Sequence, residues 1–183
     1  MPTVAVIVGS LRRESINLRF AKALVKLAEP ALAMELVDIA DLPLYNEDLW
    51  QAPPEAVLRL KRTIEAADAV LFVTPEYNRG MPAVTKNVVD WASRPMGKSS
   101  WIGKPVAVVG TSPGGVGTAV SQSQLRHVLA ICGVALMGLP EIYLQTKPGM
   151  IADDFSIPDP KTHDFLAGFV AKLAKHIART AAA

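Results

Sequence analysis

Residues 4–18 read Val4-Ala5-Val6-Ile7-Val8-Gly9-Ser10-Leu11-Arg12-Arg13-Glu14-Ser15-Ile16-Asn17-Leu18. A largely β-branched run empties into a short loop of hydroxyl, amide and guanidinium groups, and then into a helical pattern. Such a run predicts a parallel strand buried on both faces. The helix after it turns its unpaired N–H groups and the positive end of its dipole back toward the loop. A phosphate placed there meets backbone donors, the hydroxyls of Ser10 and Ser15, the amide of Asn17 and the charge of Arg12. A purely structural reading also stands, in which Ser15 or Asn17 caps the helix and Arg12 is solvated. The loop contains neither G-x-x-x-x-G-K-[ST] nor G-x-G-x-x-G. That argues against a nucleoside triphosphate or a dinucleotide pyrophosphate and favours a single monophosphate.

Outward from this stretch, the apolar period switches repeatedly between strand and helix. Leu18, Ala21, Leu24, Val25 and Ala28 recur at helical spacing and stop at Pro30. The pattern then predicts a strand over 34–39, a Pro- and Asn-containing connection over 41–54, a helix over 55–67 and a strand over 69–74. Pro82, in the first turn where its missing donor does no harm, opens a helix through Val84, Val88, Trp91 and Ala92. A strand over 104–110, a helix over 120–132, a short strand near 141–144 and a final helix over 161–179 follow. Strand and helix alternating in this way make a parallel sheet with helices on both faces. With 183 residues, half of them apolar, the expectation is one domain over 1–183.

Composition excludes several classes. The 19 basic and 17 acidic residues give a formal charge of +2 and form no basic block, so nucleic acid is not an expected partner. No apolar stretch approaches the roughly 20 residues of a membrane span, and no leader pattern precedes the first strand. A soluble, cytoplasmic protein is expected. Cys132 is the single cysteine, flanked by Ile131 and Val134, and reads as a small buried hydrophobe. His127, His163 and His176 have no metal-ligand spacing, so no protein-bound metal is expected.

In an open parallel sheet, ligands bind outside the carboxyl ends of the strands, where the strand order reverses. Three unusual loops should converge there. The first is 10–17. The second is Thr74-Pro75-Glu76-Tyr77-Asn78-Arg79-Gly80-Met81-Pro82, denser in turn residues and polar groups than a plain connector requires. The third, Gly110-Thr111-Ser112-Pro113-Gly114-Gly115-Val116-Gly117-Thr118, is rich in glycine, which lets backbone N–H groups approach a planar ligand.

These loops, with Lys86-Asn87, Asp90-Trp91, Gly103-Lys104-Pro105 and Gln124-Leu125-Arg126, make the chain resemble the NADPH-dependent FMN reductase family, in its chromate and quinone reductase branch. Pro75-Glu76-Tyr77-Asn78 after a third strand is the most specific marker. The resemblance implies a flavodoxin-like three-layer sandwich with a five-stranded parallel sheet in the order 2-1-3-4-5, and non-covalent FMN. It implies that Ser10, Arg12, Ser15, Asn17 and the backbone near Ile16 and Leu18 hold the flavin phosphate. Pro75, Glu76, Tyr77 and Asn78 would border the ring, with Ser112, Gly114 and Gly115 at its other edge. It further implies electrons from NADPH or NADH, a small acceptor such as a quinone, free flavin, azo compound or chromate, and a homodimer or homotetramer.

No acid–base pair is then demanded of the chain, because the redox chemistry belongs to flavin N5. Glu76 reads either as a general acid or as a carboxylate that fixes loop geometry or a subunit contact. Tyr77 stacks near the flavin or packs between subunits. Trp91 follows Val84 and Val88 at helical spacing and reads as packing, while Gln124, Arg126 and His127 read as a solvated face or an interface network. Arg79 stands where many relatives place an aromatic or small residue, and is a candidate contact for a phosphate of NADPH. A flavodoxin-type electron carrier or an FMN-binding sensor is the alternative. Against a flavodoxin stand a pI near 8.7 and the lack of a Ser/Thr-x-Thr-Gly-x-Thr loop.

Overall fold

Side-chain alternation in the first strand sets the layers. The computed structural model describes residues 1–182, and in it β1 (Thr3–Val8) is buried from Val4 to Val8. Val4, Val6 and Val8 face one core with Leu71 and Val73, packed under α1 (Ile16–Ala28) and α5 (Pro160–Ala181). Ala5 and Ile7 face the other core with Val70 and Phe72, under α2 (Glu55–Ala66), α3 (Ala83–Ala92) and α4 (Ala119–Ile131). Each fully buried large apolar side chain here contributes about 1.5–3 kcal/mol relative to exposure. Trp91 and Trp101 are wholly buried, and their indole N–H groups donate to Pro43 O and Val89 O, so the burial leaves no orphan donor on either ring.

The sheet follows the order β2-β1-β3-β4-β5, all parallel, with β2 (Ala33–Leu36), β3 (Ala69–Val73), β4 (Pro105–Ser112) and β5 (Ala135–Leu136). This is the flavodoxin-like order, and its switch point lies between β1 and β3. The fifth position is filled in two pieces. β5 pairs with Pro105 and Val106 at the start of β4, and β6 (Ile142–Gln145) pairs with Val109 to Ser112 at its end. The interruption falls at Gly138-Leu139-Pro140. The expected short strand near 141–144 is therefore β6, and β5 is an element the sequence did not signal.

The second strand is shorter than its alternating pattern. Pairing stops at Leu36, after which only the Val37 N–H to Val6 O bond continues it. Pro82 is the cap before α3 and not its first residue, and a 3₁₀ turn, Glu47–Gln51, interrupts the connection over 41–54. Cys132 is half-buried at the end of α4, less enclosed than its neighbours implied.

Candidate functional site

Gly9 and Gly110 let the strand ends draw together. A Cβ on Gly9 would lie 2.2 Å from Thr85 Oγ1, and one on Gly110 would lie 2.2 Å from Thr74 O and 2.1 Å from Thr118 Oγ1. With no side chain in the way, Gly9 N–H donates to Val73 O at 3.0 Å and Thr74 N–H to Val109 O at 2.9 Å. The loops leaving β1, β3 and β4 thus start from one tight row.

In the first loop, Ser15 caps α1, its hydroxyl accepting from Leu18 N–H at 3.3 Å. The structural reading of Ser15 holds, and it also consumes the Leu18 donor. The Ile16 and Asn17 N–H groups have no partner among the described residues, and the first turn of α1 holds no acidic side chain. Two backbone donors at the positive end of the helix are therefore available to an anion. Ser10 Oγ accepts from Arg12 N–H at 3.4 Å, and its own proton has no acceptor among the described residues. Arg12 is exposed beside it.

The Asn17 side chain is spent elsewhere. It is 1 % exposed, its Nδ2 donates to Thr111 O at 2.9 Å, and its Oδ1 accepts from Thr111 N–H at 3.0 Å. It ties α1 to β4, leaving a single amide hydrogen for any other acceptor.

The second loop is built around a tight turn. Tyr77 and Gly80 exchange both backbone bonds, at 3.1 and 2.9 Å, across Asn78 (φ 51°) and Arg79 (φ 59°). Two central residues with positive φ are the mark of a type I′ turn. Glu76 serves this loop's geometry: its Oε2 accepts from Val120 N–H at 3.0 Å and Ser121 N–H at 3.2 Å, and its Oε1 pairs with Arg79 Nη1 at 3.0 Å. Its side chain is 7 % exposed and both oxygens are engaged, which leaves no role as a general acid in this arrangement. Gln124, read from sequence as a surface or interface residue, grips the same turn, donating to Arg79 O and accepting from Met81 N–H. Arg126 departs from the solvated-face reading more sharply, since its guanidinium donates to Met137 O and Val108 O and burial pushes its pKa down.

The third loop folds on itself, Ser112 Oγ lying 2.6 Å from Gly117 O. Gly114 and Gly115 are exposed; a Cβ on Gly115 would meet nothing within 4 Å, and one on Gly114 only Ser112 Oγ at 3.7 Å. Neither packing nor a positive φ explains glycine at these two positions, and open space beside a bare backbone is what a flat ligand needs.

A cleft of about 460 Å³ lies at this edge, lined by Gly9, Ser10, Leu11, Arg12, Tyr77, Pro82, Ala83 and Val84. The first two loops meet in it. The third stands outside that lining; the Asn17–Thr111 pair ties it to α1, and the Thr74–Ser121 hydroxyl contact ties the second loop to α4.

Free anion donors at the start of α1, a cleft lined by Ser10, Arg12 and Tyr77, and the bare glycines of the third loop suit a ligand with a phosphate and a planar ring. The profile of NADPH-dependent FMN reductase matches residues 2–149. The chain belongs to the NADPH-dependent FMN reductase family. This family's chemistry is NAD(P)H-dependent, with FMN as the redox group, so the enzyme reading stands over that of a bare carrier or sensor. The chain is 47% identical over 171 residues to a 2-hydroxy-1,4-benzoquinone reductase of a Burkholderia species, covering 93% of each chain. It is 47% identical over 176 residues to a quinone reductase of Pseudomonas putida, covering 96% of this chain and 94% of that protein. Among solved structures, FerB, a flavoenzyme NAD(P)H:(acceptor) oxidoreductase of Paracoccus denitrificans, superposes with a TM-score of 0.96 at 51% identity, covering 98% of both chains.

Proposed function

We propose that this chain is a quinone reductase that binds FMN at the β1–β3 edge and passes two electrons from NAD(P)H to a quinone. The observation that carries this reading is the set of unpaired donors at the start of α1, which follows along the chain from Gly9 to Arg12 in the lining of the Tyr77 cleft. Bound there, FMN supplies two-electron transfer between donor and acceptor. Arg12, Ser10 Oγ and the N–H groups of Ile16 and Asn17 take the phosphate, with Ser15 and Leu18 shaping the turn around it. Pro75, Glu76, Tyr77 and Asn78 border the ring from one side and Ser112, Gly114 and Gly115 from the other. Fixed backbone dipoles of these loops would favour negative charge on a bound ring, because donors already oriented demand little reorganisation.

Arg79 takes a phosphate of NADPH. The arginine side of its pair with Glu76 is exposed, so the guanidinium can turn toward a phosphate, while Glu76 keeps its two α4 donors.

The domain acts as a single unit over 1–183, in the cytoplasm, as a homodimer or homotetramer. Leu11, Tyr77 and Val116, one on each loop, are 54%, 50% and 51% exposed, and a second copy seated over this edge would cover them. Sedimentation velocity with and without FMN tests the assembly.

The activity is tested by steady-state oxidation of NADPH and of NADH with a benzoquinone, beside parallel assays with chromate, an azo dye and free flavin. Turnover with the quinone well above that with the other acceptors is expected. No NAD(P)H oxidation by the FMN-loaded protein would return the chain to the carrier or sensor class.

A further inference from the structure

The turn between Tyr77 and Gly80 cannot hold its shape unaided. One pair of backbone bonds closes it, no ladder extends it, and an isolated two-strand hairpin is marginal in water. It also places Arg79 at φ 59°, a left-handed conformation that glycine adopts freely and other residues adopt at a cost. Something outside the turn must over-determine it. That support comes from α4 at two points a helical turn apart: the first-turn N–H groups of Val120 and Ser121 hold Glu76, and the Gln124 amide spans Arg79 O at 3.2 Å and Met81 N at 3.1 Å.

We infer that Gln124 is a positioning residue for the flavin site, acting with Glu76 as a two-point clamp that fixes the turn bearing Tyr77. The side chain uses both ends of its amide, donor to Arg79 O and acceptor from Met81 N–H on either side of Gly80, so neither a carboxylate nor an apolar residue reproduces it. Gln124 is exposed and its bonds go only to the turn, so its loss alters the register of Tyr77 against Gly9 to Arg12 more than it alters the core. This inference rests on the FMN reading above.

The test compares Gln124→Met, close in volume but without either bond, with Gln124→Glu, which keeps an acceptor for Met81 N–H and offers nothing to Arg79 O. Apoprotein of each is titrated with FMN, the visible absorption spectrum and midpoint potential of the bound flavin are recorded, and apoprotein melting is followed separately. Loss of two neutral hydrogen bonds is expected to raise the FMN dissociation constant by roughly fivefold to thirtyfold in Gln124→Met, with an intermediate rise in Gln124→Glu. Shifted flavin absorption bands and an altered potential accompany it, while apoprotein melting stays close to wild type, as for other exposed substitutions. Wild-type affinity, spectrum and potential in Gln124→Met would overturn the clamp, as would a loss of melting temperature with no change in the bound flavin. Failure of the wild-type protein to bind FMN at all would instead refute the FMN reading.

Discussion

Arg12 shows how much one exposed side chain is asked to do. No protein partner engages its guanidinium among the described residues, and it lines the cleft beside the free proton of Ser10. A charge-assisted bond to phosphate is worth about 1.5–3 kcal/mol. Arg12→Ala is therefore expected to weaken FMN binding by about tenfold to a hundredfold, read by fluorescence titration of the apoprotein. Turnover at saturating FMN stays close to wild type, because the phosphate lies at the far end of the flavin from its reacting atom. An unchanged dissociation constant would make Arg12 merely solvated. For Arg79→Ala the expected change is a higher KM for NADPH with kcat retained, the pattern of lost uniform binding. If the guanidinium reads the 2′-phosphate, KM for NADH stays put; equal rises with both nucleotides would place it on the shared pyrophosphate.

At the scale of elements, Gly9, just past β1, and Gly110, inside β4 near its end, differ in what they are pressed against. Gly9→Ala drives its new methyl into a side-chain hydroxyl, Thr85 Oγ1, and overpacking of this kind costs about 1–3 kcal/mol. Thr85→Ala in the same chain removes that oxygen, which has no hydrogen-bond partner among the described residues, and is expected to recover most of the loss in urea denaturation. Gly110→Ala meets the backbone carbonyl of Thr74 as well as Thr118 Oγ1, so Thr118→Ala is not expected to rescue it. Local periodicity made the long elements readable, because β1, β3 and β4 are buried on both faces and their helices carry clear apolar stripes. It could not reveal β5, two residues with no room for a period, nor the end of β2 at Leu36, which no local pattern marks and which falls short of the end of β1 at Val8. The loops were legible as a candidate site, whereas the disposition of their polar groups was not. Asn17 finds its partner 94 residues away on Thr111, and Gln124 finds the 77–80 turn, pairings created only when the chain closes on itself.

Across the whole molecule, carboxylates that fasten segments set the response to acid. Asp68 is held below its ordinary value of 3.8 by the Thr3 backbone N–H and hydroxyl, so it joins the start of β1 to the residue preceding β3. Asp154 is lowered first by the Ser156 hydroxyl and then by Lys26, and Asp159 by the Thr162 hydroxyl and N–H at the cap of α5. Each is deprotonated more readily in the fold than in the unfolded chain. Their contribution is therefore complete above the ordinary carboxylate value and is lost as pH falls through the lower folded values. Lys61, its pKa lowered by burial, adds no slope on the acid side, since it is protonated in both states there. The urea midpoint is expected to stay level from about pH 8 to pH 5 and to drop below pH 4, with a smaller drop in Asp68→Asn. A midpoint that rose on acidification would contradict this assignment.

The break in the outermost strand bears on how the protein survives at high concentration. A continuous strand lying along all eight residues of β4 would leave a long row of free N–H and C=O groups, a template on which other chains can stack. Instead the row is cut into a two-residue and a four-residue piece, with Pro140, which has no N–H to offer, between them. At the opposite margin β2 is only four residues long. Straightening the cut with Gly138→Val, Leu139→Thr and Pro140→Val together is expected to make concentrated refolding solutions scatter light, while the unaltered chain stays clear. The kink that looks like a flaw in the sheet is then its guard against polymerisation.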